Sequence, residues 1–311
     1  MKPIQKAIII AVILIAGISG GWIEPSAAGS AAPPSDLPDV LQAGVIRHLG
    51  VPYANFITGS GDGMDVELIQ RFAAHLGVRY KYVQTSWKDV IGDLTGKTVK
   101  PMGTEIEIIG DHPIRGDLIA NGFTVLPWRQ KIIDYGTATF PTQIWVMARA
   151  DSTLKPIQPT DQIDLDIAAV KSLLGGHSIL GVANTCLEPS LYRVADTGAM
   201  VHLFSGNLNE LAPVIINGEA ESTLLDVPDA LIALEKWPGK IKVIGPLSPM
   251  QTMAAGFAKQ SPQLRQAYND FLQQCKIDGT LISLVKKYYP AVFRYYPFFF
   301  QGSEANHCTL E

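Results

Sequence analysis

Two glycine-bearing patterns in this 311-residue chain are spaced as if to do chemistry. Gly17-x-Ser19-x-Gly21 matches the sharp turn that presents a nucleophilic serine, but it lies inside an apolar N-terminal run and reads as coincidence. Gly59-x-Gly61-x-Gly63 could cradle a dinucleotide phosphate, yet it lacks the full glycine spacing and stands away from the preceding strand. It reads as a flexible turn. The six histidines are scattered, with no pair at zinc spacing. Cys186, Cys275 and Cys308 are too few and too dispersed for a metal cluster or a disulfide framework. No cofactor, no metal and no catalytic residue are therefore expected. What remains is sparse: Arg129, five residues after Thr124, and Asp226 at the end of an apolar run. Taken alone, Arg129 reads as a surface cation and Asp226 as the cap of the helix that follows.

These residues sit in a chain able to build a large core. It is 47% hydrophobic, with mean hydropathy +0.15, and only 17% charged. Disorder and a disulfide-stapled miniature fold are excluded. The net charge of −4, without a basic run, argues against a nucleic-acid partner. Lys2 and Lys6 precede an apolar and glycine stretch of 17 residues, Ala7 to Ile23, and small residues then crowd 26–32. That order is an export signal, with cleavage expected after Ala28, giving a periplasmic protein. An uncleaved membrane anchor is the competing reading, because such a stretch approaches bilayer length.

After a Pro/Ala/Ser linker over 29–38, expected to be unpacked, β-type and helical patterns alternate as in an α/β fold. Val45 to Val51 and Val78 to Gln84 read as strands. Met64 to Leu76 reads as a helix burying Val66, Ile69, Phe72, Ala73 and Leu76, closed by Gly77. Trp87 reads as core packing, and Ile106 to Ile109 as a strand within an extended connection. Polar residues 151–162 suggest a crossing into a second α/β series, and 240–257 the return. Ser261 is the expected cap of a helix ending near Gly279, and a further helix ends near Pro290.

Gly63-Met64-Asp65-Val66-Glu67-Leu68, with Phe72, Ala73 and Leu76 at their offsets, resembles the signature of family 3 extracellular solute-binding proteins. The similarity continues through Thr85-Ser86-Trp87, Asp117 to Thr124, Arg129, Ile133-Asp134-Tyr135, Gly181 to Thr185, Gly218 to Asp226 and Gly279-Thr280-Leu281. It covers about residues 37 to 290. The resemblance implies an α/β, two-lobed periplasmic binding protein of type II, each lobe a mixed sheet flanked by helices, with two hinge crossings. Lobe 1 would comprise 39–147 and 246–290, lobe 2 would comprise 148–245, and 291–311 would form an aromatic tail. It further implies that Arg129 grips a ligand carboxylate through its two-pronged fork, and that Asp226 meets the ligand ammonium. Asn121, Gly122 and Thr124 would line the pocket, and Tyr53 or Phe56 would supply an aromatic wall. Thr185 would help hold the carboxylate or merely cap its own helix. The expected partners are a small-molecule ligand, an amino acid or related carboxylate, and a membrane ABC permease, with the protein itself a monomer.

Departures from the family pattern are Gly122 for a hydroxyl residue, Asn184 for glycine and Cys186 for threonine. Residues 95–115 read as an insertion. The chain also looks like cyclohexadienyl dehydratases, in which case Glu188 or Asp226 would be the proton donor. Around Gly63 to Val78 it is similar to the solute-binding-like module of membrane-bound lytic transglycosylases, which would make it a sensor of wall fragments. With 21 residues after 290, their lysozyme-like domain is not expected. The aromatic tail reads either as a cap on the first lobe or as a docking surface.

Overall fold

The computed structural model describes residues 33–304, with side chains as far as Phe300. The expected N-terminal export signal and Cys308 lie outside the described residues. The strands of the first half are β1 (Val45–Gly50), β2 (Arg79–Gln84), β3 (Lys97–Met102), β4 (Glu105–Asp111), β5 (Leu118–Ile119), β6 (Ile133–Tyr135) and β7 (Phe140–Thr142). Those of the second are β8 (Ile144–Arg149), β9 (Ser178–Gly181), β10 (Met200–Leu203), β11 (Ser222–Asp226), β12 (Ile241–Pro246), β13 (Gln251–Met253) and β14 (Gly256–Ala258). The helices used below are α1 (Leu37–Ala43), α2 (Met64–Leu76), α3 (Val90–Thr95), α4 (Val227–Lys236), α5 (Pro262–Ile277) and α6 (Thr280–Tyr288).

Two five-stranded mixed sheets form the two lobes. The first runs β2-β1-β5-β14-β6, with β1 parallel to β2 and β5, and β14 antiparallel to its neighbours. The second runs β10-β9-β11-β8-β12, with β8 antiparallel to β11 and β12. β7 and β13 pair antiparallel, Thr142 opposite Gln251, as the two crossings between the sheets. Ile144 to Ala148 already pairs with β11, so the chain enters the second sheet at Gln143, ahead of the polar 151–162 stretch. The apolar content of 144–148 decides this, since a run buried on both faces belongs in a sheet centre.

α2 forms as its pattern dictates. Val66, Ile69, Phe72 and Ala73 are buried and Leu76 is half-buried. Each fully buried aliphatic or aromatic side chain contributes roughly 1.5–3 kcal/mol. Gly63, at φ +139°, opens the helix where a Cβ would lie 2.3 Å from the Phe56 carbonyl oxygen, so no other residue fits. Ser261 stands at the N-cap of α5 with Pro262 after it, as expected, but its hydroxyl makes no capping bond and donates instead to the Ser35 carbonyl at 2.7 Å. Asp36 caps instead, accepting from Leu264 N at 2.8 Å while also capping α1 through Leu37 N at 2.9 Å. The far end of the 29–38 linker is therefore packed, because one carboxylate serves two helix N-termini.

The segment after α3 is a complete hairpin, β3 against β4, closed by a two-residue turn at Gly103-Thr104. The tail packs over the hinge. Tyr289 is buried between Phe56 and Phe140, with ring centroids at 4.9 and 4.8 Å. The Tyr296 hydroxyl donates to Gln143 Oε1 at 3.2 Å, and the Tyr295 ring lies 5.4 Å from Trp145 of the second sheet.

Candidate functional site

The β5–β6 connection carries Asn121, Gly122, Phe123, Thr124 and Arg129 out of the first sheet. Gly122 adopts φ +64°, and a Cβ there would sit 2.4 Å from the Phe56 ring, which accounts for the missing hydroxyl side chain. Its N–H donates to Asp65 Oδ2 at 2.7 Å. Burial raises the Asp65 carboxyl to about 7, with the Gly122 amide opposing. Arg129 is only 2% exposed. Nη1 donates to the Thr124 carbonyl at 2.9 Å and Nη2 to the Asn184 carbonyl, from the second lobe, at 3.4 Å. Its Cζ lies 4.1 Å from the Phe123 ring centroid and 5.3 Å from that of Trp128. Among the described residues no carboxylate pairs with it. Carbonyl dipoles and ring faces offset part of the cost of burying this charge; a carboxylate would offset more.

From the second lobe, β11 delivers Asp226, fully buried, at the start of α4. Oδ1 accepts from Tyr53 Oη and from Asp229 N, and Oδ2 from the Cys186 thiol at 3.6 Å. The residue caps α4 and faces the first lobe at once. Burial raises its carboxyl to about 6, the Tyr53 bond opposing. Burial and the Asp226 charge push Asp229 well up as well. Burial, then Asp226, keeps the Tyr53 phenol protonated and a donor. Asn184 stands at φ +62°, a backbone that Asn tolerates better than most non-glycine residues, which explains why it occupies a glycine position. Thr185 uses its hydroxyl inside its own loop, donating to Val182 O at 2.8 Å and accepting from Leu187 N at 3.0 Å.

Among the described residues, the fully buried side-chain nitrogen and oxygen atoms without a hydrogen-bond partner are Asn121 Nδ2 and Oδ1, Thr124 Oγ1, Arg129 Nε, Thr142 Oγ1 and Gln251 Oε1. The first three residues lie on the connection facing the second lobe, and the last two oppose each other on the hinge pair. Buried polar groups are almost always satisfied, and leaving one unmade costs about 1–3 kcal/mol. They are groups that a polar ligand entering between the lobes would satisfy. Between Arg129 and Asp226 sits Cys186, whose thiol is held up by burial and by Asp226 and drawn down by Arg129.

The sequence-derived residues divide clearly. Tyr53, Asn121, Thr124, Arg129 and Asp226 come together where the lobes meet. Phe56 lies behind them in the core, against Phe140 at 5.2 Å, rather than forming a wall. Trp87 is half-buried and packs against the core as expected, its ring centroid 5.7 Å from that of Tyr53 in an edge-to-face arrangement. Cys186, Tyr192 and Gln251 were missed. Tyr192 donates to the Cys186 carbonyl at 2.6 Å, and neither it nor Gln251 has a local signal. Phe123 and Trp128, flanking the Thr124–Arg129 spacing, could have been found as guanidinium-stacking partners. Glu188 is half-buried and accepts from Asn184 N at 3.1 Å on the loop itself.

Comparison with known proteins agrees with this architecture. The chain is 22% identical over 233 residues to the L-cystine-binding protein TcyJ of Escherichia coli, covering 75% of this chain and 76% of that protein. Among solved structures, a mutant of ArgBP from T. maritima superposes with TM-score 0.65 at 19% identity, over 82% of this chain and 99% of that one. The ancestral amino acid-binding protein AncCDT-1, a precursor of cyclohexadienyl dehydratase, does so with TM-score 0.62 at 21% identity, over 81% and 98%. Residues 114–291 match the family model of bacterial extracellular solute-binding proteins, family 3, which is more than half of the sequence. With two mixed sheets, paired crossings and a polar surface between them, this chain belongs to that family.

Proposed function

We propose that this protein is exported, captures an α-amino acid or a close zwitterionic relative between its lobes, and presents it to a membrane ABC permease. The observation that carries the reading is Arg129: a buried guanidinium with no acid beside it, among unpartnered Asn121 and Thr124 groups. A ligand carboxylate would take the guanidinium fork and a ligand ammonium would take Asp226, displacing the Tyr53 hydroxyl that now donates there. Contacts made from both lobes make affinity depend on closure. Names of relatives support the class: cystine and amino acids are what those proteins bind. Calorimetric titration with a panel of amino acids tests it. Binding by the wild type, lost in Arg129→Ala while the circular dichroism spectrum is kept, is the expected result. Equal affinity in the two proteins would overturn the reading.

One observation favours a second function on the same scaffold. A buried carboxyl raised to about 6, as at Asp226, is a competent proton donor near neutral pH. Incubation with prephenate or arogenate, followed by aromatic absorbance, tests for dehydratase chemistry.

A further inference from the structure

The β3–β4 hairpin leaves the first lobe and overhangs the place where the lobes meet. Near its turn, Glu105 pairs with Lys131 at 2.8 Å, on the short helical turn that begins with Arg129. Beneath it lies a cavity of about 400 Å³ bounded by Val99 and Lys100 of the hairpin, Trp87 and Lys88, Trp128, and Asn184 of the second lobe. A smaller one, about 200 Å³, separates the hairpin turn at Pro101 and Gly103 from Thr185 and Glu188. The larger cavity adjoins the proposed amino-acid site through three of its walls. Trp87 touches Tyr53, Trp128 lies against the Arg129 guanidinium, and the Asn184 carbonyl accepts from Arg129.

Its chemistry differs from that of the central site. Two indoles and aliphatic side chains make much of its wall; Asp89 and His112 also line it, already bonded to Ser86 and Asp93, while Lys88 and Lys100 stand exposed at its rim with no ion pair among the described residues. A volume of this size is at the scale of small-molecule pockets and suits a flat or extended group beyond an amino-acid head. We infer that the solute is elongated: an α-amino acid whose side chain passes into the hairpin cavity, lays an aromatic or aliphatic segment against Trp87 and Trp128, and ends in an anionic group met by Lys88 and Lys100. The inference rests on the proposed amino-acid reading, since it takes Arg129 and Asp226 as the seat of the head group.

γ-Glutamylphenylalanine is a suitable probe, because it carries a free zwitterionic head, an aromatic ring and a distal carboxylate. Glutamate and phenylalanine carry the same head with only one further group each, a short carboxylate or a ring, and neither presents both at the span of the conjugate. Calorimetry on the full chain is expected to give the conjugate at least about tenfold tighter binding than either amino acid. Lys88→Ala/Lys100→Ala should bring the conjugate to within about threefold of the plain amino acids, and Val99→Trp, which fills the cavity, should do the same; neither should alter the binding of glutamate or phenylalanine. Both lysines are exposed, so folding of the double variant is not at stake. Conjugate affinity no better than the amino acids, or unchanged in both variants, overturns the inference while Arg129-dependent amino-acid binding still stands. Failure of all three probes to bind removes the inference and the reading beneath it together.

Discussion

Arg47 and Arg129 are both arginines of the first lobe, and they are treated in opposite ways. Arg47 lies on β1 beside Asp117, which accepts from its Nη2 at 2.5 Å, its Nε at 3.1 Å and its backbone N–H at 2.7 Å. That guanidinium is 30% exposed and its carboxylate partner 2%. Arg129 is more deeply buried and, among the described residues, meets carbonyl oxygens, ring faces and the Tyr135 phenol rather than a carboxylate. A folded chain gains nothing from burying a cation this way, because desolvation is poorly offset without an acid. The contrast separates an ion pair that holds β1 to the entrance of β5 from a charge that, on the proposed reading, is kept for a ligand.

Substituting the two in parallel breaks or upholds that contrast most sharply. Arg129→Ala is expected to weaken amino-acid binding by about a hundredfold or more, without lowering the melting temperature of the unliganded protein. Arg47→Ala should leave affinity unchanged and lower unfolding stability by about 1–3 kcal/mol, because Asp117 would remain buried and short of donors. Calorimetry and urea unfolding on both variants decide it. A destabilised Arg129→Ala protein with normal affinity would make Arg129 structural too.

Next in size is the acid across the cleft. Asp226→Asn should cost about ten- to a hundredfold in affinity for zwitterions. With the wild-type carboxyl at about 6, affinity should fall by up to about tenfold per pH unit below that value and level off above it. The variant should lose this dependence. In the unliganded protein the sign reverses. Asp226 and Asp65 have folded values above the ordinary carboxylate range, so the folded state holds more protons than the unfolded one as pH rises from about 4 to about 7. Their contribution to stability therefore drops across that window; Asp229, also pushed up, adds to the drop, and buried His48, its imidazole lowered to about 4, opposes it. A saturating ligand should cancel the Asp226 share, and Asp65→Asn should remove the Asp65 share. Thermal melts at pH 5 and pH 8, with and without ligand, measure both. A pH slope that neither ligand nor Asp65→Asn changes would contradict the burial of the two acids.

How much of this was legible in the sequence follows from the range of the forces involved. α2 was read almost to the residue, because its buried face repeats at helical period and Gly63 and Gly77 bound it. Arg129 and Asp226 carried no local message; they stood out only through the family resemblance, which transfers a spatial arrangement onto a linear one. The shared cap at Asp36 was illegible, since its second client, Leu264, lies 228 residues away. Tyr53 as the donor to Asp226 spans 173 residues and was likewise hidden in role, though not as a candidate. Half of the hairpin was seen, at Ile106 to Ile109. The partner strand, with Lys97, Lys100 and Pro101, lacks the apolar alternation that marks a strand with one buried face.

The smallest effect is expected at the hinge, where the comparison of structural and functional groups can be carried one step further. Gln143 stands between β7 and β8, and its Oε1 accepts from Trp145 Nε1 at 2.8 Å as well as from Tyr296 Oη at 3.2 Å. Its Nε2 donates to the Ser248 carbonyl on the return crossing at 2.9 Å. Tyr296→Phe leaves Gln143 satisfied by Trp145, so the loss should be no more than about 0.5–1 kcal/mol of unfolding stability, with affinity within about threefold of wild type. The tail would then be a clasp on the crossings and no part of recognition. A shift in affinity beyond about tenfold, at unchanged enthalpy per contact in the cleft, would instead place control of the closed population at the hinge, since closure and intrinsic binding multiply in the apparent constant.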